Sequence, residues 1–332
     1  MCVTPSFSLS QLFALVVIAL LPVLGHAQWL QDTRALMGTE ITVELMEPGA
    51  GEGEALLEAV FTEFHRLDLM MNPWNEESVL ARVNRDAFAG PVSVPAEMVA
   101  VLERALYYSR LSGGAFDVSF AAASQYYDFR RGRTPSKAER EEGVRAIDYR
   151  SVELDTQAAT VRFLRPGMAL DFGGIAKGFA VDRGIDILRA AGVEAAVVSA
   201  GGDSRMLGDL GERPRMVGIR HPRQQDDYVA IIPLSNTAIS TSGDYERYFE
   251  RDGVRYHHIL DPATGDSARA VLSASIIAAQ AIDSDALSTT VFVLGVERGL
   301  ALVNRLPGVD AIIVDGQGRL HYSAELLLST KE

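Results

Sequence analysis

The chain has 332 residues, 48% of them hydrophobic and 23% charged, a balance that suits a folded domain large enough to bury its core without cross-links. A net charge of −13 makes the chain a poor partner for nucleic acid, whose binding needs cationic side chains, and a single cysteine, Cys2, leaves no partner for an intrachain disulfide. A phosphorylated ligand would have to be held by backbone amides, a few placed cations or a metal ion.

The chain opens on an apolar run, Leu12 to Leu24, broken only by Pro22 and followed by Gly25-His26-Ala27, with small residues at the two positions a signal peptidase reads. About 13 apolar residues fall short of the roughly 20 that a spanning helix needs. Residues 1–27 therefore read as a cleaved export signal, and residues 28–332 as one mature domain with no membrane span. No Leu-rich box precedes Cys2, so a lipid anchor is not expected and a periplasm-like compartment is. The signal segment carries no Lys, Arg, Asp or Glu, so the whole negative excess belongs to the mature domain.

In the mature chain, Thr39–Met46 alternates Ile41, Val43 and Leu45, the pattern of a strand with one buried face. Helical spacing marks residues 52–70, through Leu56, Val60, Phe64 and Leu67, and residues 96–111, with Pro95 at a suitable start. Ser124–Gly143 is polar and rich in Arg and Glu, which predicts an exposed loop or irregular helical segment. Val152–Phe163 reads as a hairpin, residues 175–190 as a helix, and Ala195–Ser199 as a buried strand ending at Gly201-Gly202-Asp203. Strands follow at 216–220, 228–234 and 238–241, then a hairpin over 245–260 turned at Asp252-Gly253. An apolar strand at 271–279, helices at 282–294 and 297–306, and a strand at 311–314 complete the pattern. Hairpins interrupt any strict βαβ alternation, so the fold class is α+β, a single domain with two lobes.

Several stretches have the residue types that chemistry needs. Asp171-Phe172-Gly173-Gly174-Ile175-Ala176-Lys177-Gly178 places glycines ahead of a helix, where a ligand can approach unpaired N–H groups at the positive end of the dipole. It matches neither the P-loop nor the dinucleotide fingerprint, and a tight packing turn is the alternative. Ala200-Gly201-Gly202-Asp203 offers the same two readings. Asp285 and Thr289 stand four apart near a helix start, so their oxygens share a face suited to a hard cation; dipole compensation by first-turn acids is the alternative. Of His257 and His258, adjacent on a strand, only one can enter a given pocket. No His-x-x-x-His, Glu-x-x-His or Gly-x-Ser-x-Gly pattern occurs, which argues against a zinc hydrolase or a serine hydrolase.

The order of these stretches is more specific than any one of them. Met37-Gly38-Thr39, Met71-Asn72-Pro73-Trp74, Gly113-Gly114-Ala115-Phe116-Asp117, the Asp171–Gly178 stretch, Ala200-Gly201-Gly202-Asp203, Ser242-Gly243-Asp244-Tyr245-Glu246-Arg247-Tyr248-Phe249, His258-Ile259-Leu260-Asp261-Pro262-Ala263-Thr264-Gly265 and Asp285-Ala286-Leu287-Ser288-Thr289 follow one another. In that order they closely resemble the FAD:protein FMN transferase (ApbE) family, over nearly all of the chain from Met37 to about residue 300.

The resemblance implies an FAD-binding enzyme that uses Mg²⁺ to move FMN onto a Thr or Ser hydroxyl of an acceptor flavoprotein, releasing AMP. It implies that Met37, Trp74, Ala115, Phe116 and Asp117 hold the flavin and adenosine parts of FAD, with Trp74 where the family commonly has Tyr. Asp171, Lys177 and Ile259 would also contact FAD, and the backbone oxygen of Gly174 with Asp285 and Thr289 would hold Mg²⁺. His258 and Asp244 are the candidate general bases for the attacking hydroxyl, a strand-end histidine having an ordinary pKa near 6.5. The segment after Asp117, Val118-Ser119-Phe120 leading to Gln125-Tyr126-Tyr127, departs from the family's usual Trp-x-Phe-Gly pattern and leaves the shape of the flavin rim open. The alternatives are an Mg²⁺-dependent FAD pyrophosphatase, with water as nucleophile, and a non-catalytic FAD carrier; the presence of Asp285 and Thr289 argues against the carrier.

Overall fold

The computed structural model describes residues 28–49, 51–209, 213–224 and 226–329. The export signal expected at residues 1–27 lies outside the described residues. Strands β1 (Trp29–Leu36) and β2 (Thr39–Met46) form a hairpin turned at Met37-Gly38, both at positive φ. Ile41, Val43 and Leu45 of β2 are fully buried, as their alternation requires. α1 (Gly53–Met71) then buries Leu57, Val60, Phe61, Phe64 and Leu67 along one stripe.

A second lobe follows. It holds α2 (Val79–Asp86), β3 (Val92–Ser93), α3 (Ala96–Leu111), α4 (Ala121–Ser124), α5 (Lys137–Ala146) and the hairpin of β4 (Val152–Asp155) and β5 (Thr160–Phe163), which takes β3 as its third strand. The segment expected to be a loop or irregular helix contains α5, whose start is fixed by a capping box: Ser136 Oγ accepts the Glu139 N–H, and Glu139 accepts the Ser136 N–H.

The chain returns through α6 (Ala176–Ala190), β6 (Ala196–Ala200), β7 (Asp203–Leu207) and the hairpin β8 (Arg215–Arg220) and β9 (Tyr228–Leu234). Next come β10 (Ala238–Gly243), β11 (Tyr248–Arg251), β12 (Val254–His257), β13 (Leu260–Asp261) and β14 (Asp266–Ser267). β15 (Val271–Ala278), α7 (Ala281–Val303), β16 (Asp310–Asp315), β17 (Leu320–Tyr322) and α8 (Ala324–Ser329) complete the described chain. Eight strands pair antiparallel in the order β1-β2-β6-β7-β10-β15-β16-β17.

Helices α1, α6 and α7 cover one face of this sheet. Val198, Ala274 and Ile276 meet Phe64, Ile185 and Phe292 there, in a core that continues into the second lobe through Leu80, Val101 and Phe163. The two lobes thus share one core, as a single α+β domain requires. The β8–β9 hairpin covers part of the opposite face, where Ile219 and Leu234 join Val197, Met206, Ile239 and Ile312 in a smaller cluster. Neighbours Val197 and Val198 face opposite sides, which explains why β6 is apolar throughout.

By length and composition α7 is apolar enough to cross a membrane, but Leu287, Val291 and Phe292 place it in the core. Gly295, at φ 78 and ψ −177, breaks its helical geometry at the junction the sequence indicates between residues 294 and 297.

Candidate active site

The site lies where the first turns of α6 and α7 meet. A side chain at Gly178 would collide with the Ala281 carbonyl group and the Asp285 Cβ, so glycine is what allows the two helices to approach. Gln280, at the N-cap of α7, offers no side-chain hydrogen bond; Asp182 of α6 takes that role. Its carboxylate accepts the N–H groups of Ala281 and Ile282, both at 2.9 Å, and receives Arg205 at 2.6 Å. Arg104 of α3 reaches Asp283 at 2.7 Å and ties the second lobe to the same helix start. Hydroxyl pairs Ser240–Ser284 and Ser242–Ser288, each 2.8 Å, set the face that α7 turns towards β10.

This framework holds Asp285 almost completely buried. Its Oδ2 accepts the Gly178 N–H at 2.9 Å and lies 3.6 Å from Lys177 Nζ. Lys177 makes its shorter ion pair, 2.8 Å, with Asp203 at the start of β7, and also donates to the Gly173 carbonyl at 3.3 Å. Burial and the Asp203 charge push the Asp285 carboxyl well above the usual carboxylate range, against the opposing pull of Lys177 and the Gly178 N–H. The two acids hold the Lys177 ammonium above its ordinary range.

Gly174 sits against Thr289 and Phe116: a Cβ there would lie 3.1 Å from the Thr289 hydroxyl and 3.2 Å from the Phe116 ring. Thr289 Oγ1 is also 3.3 Å from Ser242 Oγ. Gly174, Asp285 and Thr289 are therefore neighbours at the meeting of two helix starts. Among the described residues no group of three His, Cys, Asp or Glu side chains forms a metal cluster. A carboxylate, a hydroxyl and a backbone carbonyl are all hard oxygen donors, a set that fits Mg²⁺ and not a soft or imidazole-preferring metal.

Around this centre stand Asp171, Arg247 and His258. Asp171 accepts the Gly173 N–H at 2.6 Å; burial raises its pKa, and the nearby charges of Arg247 and Lys177 oppose that shift. Arg247 donates to the Gly38 carbonyl at 3.0 Å, which brings the Met37-Gly38 turn to the rim. His258 has a buried Nδ1 with no hydrogen-bond partner. Its pKa falls to about 3, chiefly through burial, with Arg247, His257 and Lys177 adding to the shift, so the expectation of an ordinary value is corrected. The imidazole is neutral and a weak base until an anion lies beside it. His257 faces the other way, its Nε2 2.6 Å from the Ala268 carbonyl oxygen and its Nδ1 accepting the Ile259 N–H, and is part of the core packing. Ile259 is itself buried in the core.

The remaining candidates lie in different settings. Phe116 is buried edge-on to Tyr108, its N–H held by Ser112 Oγ, and Ala115 precedes it in the same loop. Asp117 spends one oxygen on that loop, accepting from Ser119 N–H and Ser119 Oγ, and the other on the Tyr149 N–H ahead of β4, so it shapes the wall rather than offering a free carboxylate. Trp74 is 79% exposed. Asp244 is gripped by Arg223 at 2.7 and 2.6 Å, with Arg255 at 3.5 Å, and does not stand free as a base. Asp203 and Arg247 carry no role in the sequence analysis, although Asp203 closes, and Arg247 lies within, a stretch already singled out.

A profile of the ApbE family matches residues 37–313. An FAD:protein FMN transferase of Treponema pallidum is 38% identical over 324 residues, covering 91% of this chain and 90% of the relative. One of Klebsiella pneumoniae is 31% identical, covering 84% and 87%. The crystal structure of the ApbE protein of Thermotoga maritima superposes with a TM-score of 0.84 at 34% identity, covering 91% of this chain and 99% of that one. The flavin transferase ApbE of Vibrio cholerae gives 0.82 at 25% identity, covering 91% and 99%. With the fold, the order of its sequence stretches and these matches in agreement, the chain belongs to the ApbE family.

Proposed function

We propose that the protein is an Mg²⁺-dependent FAD:protein FMN transferase. The observation that carries this reading is the convergence of Gly174, Lys177, Asp285 and Thr289 at two helix starts, an arrangement of hard donors and one cation suited to a pyrophosphate. Gly174, Asp285 and Thr289 would hold the Mg²⁺. When bound, Mg²⁺ neutralises phosphate charge and polarises the phosphorus that is attacked.

The chain's own groups then have distinct tasks. Lys177 and Arg247 place positive charge where the pyrophosphate of the substrate FAD is received. Phe116 gives the flavin side of the site an aromatic wall. In the transfer, the oxygen of an acceptor Thr or Ser bonds to the FMN phosphorus, the bridging P–O bond breaks, and AMP leaves with the electron pair. The hydroxyl proton is released to a base, for which the unpartnered Nδ1 of neutral His258 is the available acceptor. The acceptor is a flavoprotein carrying a Thr or Ser flavinylation site.

Residues 28–332 incubated with FAD, Mg²⁺ and a Thr-bearing acceptor domain should add the mass of one esterified FMN to the acceptor and release AMP, both abolished by EDTA. AMP and FMN without acceptor labelling would replace the transferase with a pyrophosphatase, and intact bound FAD would leave a carrier. We further propose export to a periplasm-like compartment through the Leu12–Leu24 segment. A secreted pool whose amino terminus is not Gln28 would overturn the cleavage site, and retention of the full chain in the cytoplasm would overturn export.

A further inference from the structure

Lys177 stands between two carboxylates that are both almost completely buried: Asp203 at 2.8 Å and Asp285 at 3.6 Å. The Lys177 side chain is 25% exposed, and an ammonium so enclosed keeps its charge by pairing with a carboxylate, so an uneven pair of distances is a choice of partner. The backbone fixes that choice. Asp203 is the first residue of β7, paired across the turn with Ala200 and on its other side with Ser240, so its carboxylate is held in place by the sheet. Without it, Lys177 has Asp285 as its nearest carboxylate, and an ammonium seated on Asp285 takes the position that a divalent cation needs.

We propose that Asp203 is a positioning residue that draws Lys177 away from Asp285 and thereby keeps that carboxylate open to a divalent cation. The inference rests on the metal reading given above. A different role, in which Asp203 attracts the cation simply through its own charge, gives the same direction of effect for a single substitution. Only a cycle that removes Lys177 as well separates the two.

The test uses residues 28–332 with Mn²⁺ as the probe and FAD saturating for each variant, as judged by flavin fluorescence; unbound Mn²⁺ is read from its EPR signal. In Asp203→Asn the Mn²⁺ Kd should rise on the order of tenfold. Lys177→Met should bind Mn²⁺ at least as tightly as the unaltered protein, and the double variant Asp203→Asn/Lys177→Met should match Lys177→Met within about twofold. The inference is overturned if Asp203→Asn weakens Mn²⁺ equally with and without Lys177, or leaves it unchanged in both backgrounds. If Asp203→Asn does not fold, Asp203→Ser carries the same comparison. Failure of the unaltered protein to bind Mn²⁺ at all would overturn the metal reading itself, and is distinguishable because no cycle can then be drawn.

Discussion

Two glycine pairs, Gly173-Gly174 and Gly201-Gly202, look alike in the sequence and play different parts in the structure. Gly201, at φ +61, and Gly202 form the tight turn of the β6–β7 hairpin; a Cβ on Gly201 would lie 2.7 Å from Thr39 Oγ1, and one on Gly202 2.7 Å from the Thr241 carbonyl oxygen. Gly173 and Gly174 keep ordinary negative-side backbone angles, and the nearest atoms to a Cβ there are side chains of Asp171, Thr289 and Phe116. Conformation demands Gly201, and the close Thr241 carbonyl demands Gly202. Space beside reactive side chains demands the first pair. A glycine's neighbours, more than the glycine itself, therefore tell a turn from a ligand platform.

That contrast can be broken by substitution, and the largest effect is expected beside the first pair. Asp285→Ala should lower Mg²⁺-dependent turnover on the order of a thousandfold while the protein stays folded by circular dichroism. Full turnover would remove Asp285 from the metal site. Gly174→Ala, which crowds the Thr289 hydroxyl, should lower turnover by roughly tenfold with little change in Tm. Gly201→Ala should show the reverse: a loss of about 1–2 kcal/mol in stability from the left-handed backbone, with turnover per folded molecule kept within roughly threefold. If Gly174→Ala melts early and Gly201→Ala does not, the distinction between the pairs is wrong.

The smallest effect at neutral pH concerns His258. Its folded pKa lies below the unfolded one, so between about 6.5 and about 3 the unfolded chain takes up a proton that the buried imidazole refuses. Stability should therefore fall as pH drops through that window and be independent of His258 above it. His258→Gln should flatten this part of the stability profile, measured by denaturant titration at several pH values. An unaltered profile would mean that the imidazole is not desolvated as the fold places it.

How much was legible in the sequence depended on how local the signal was. α1, α3 and β2 are written in their own periodicity, and the break at Gly295 in its own residues. β1 was not read because Trp29–Leu36 is a half-exposed edge strand of mixed polarity, and α2 because eight residues carry barely two turns. The Ser136–Glu139 capping box is present in the sequence, yet composition alone left α5 open between an exposed loop and an irregular helical segment. In the site, residues near one another in the chain were identified together. The Lys177–Asp203 pair, the Arg247–Gly38 bond and the Arg223 grip on Asp244 join residues 21 or more positions apart, and no single stretch records them. Trp74 shows the limit in the other direction: the motif position is present, but its ring points into solvent.

The carboxylate of Asp182 has a consequence for how the molecule comes apart. It is carried by α6, receives the first amides of α7 and is held by Arg205 of β7, so three elements share one anchor. Local opening of either helix start would break bonds in the other and leave a buried charge without partners, which makes independent fraying costly. The amide hydrogens of Ala281 and Ile282 should then exchange with solvent only as slowly as the slowest in the core. Heat should abolish catalysis and unfold the domain in a single step, with no inactive folded form in between.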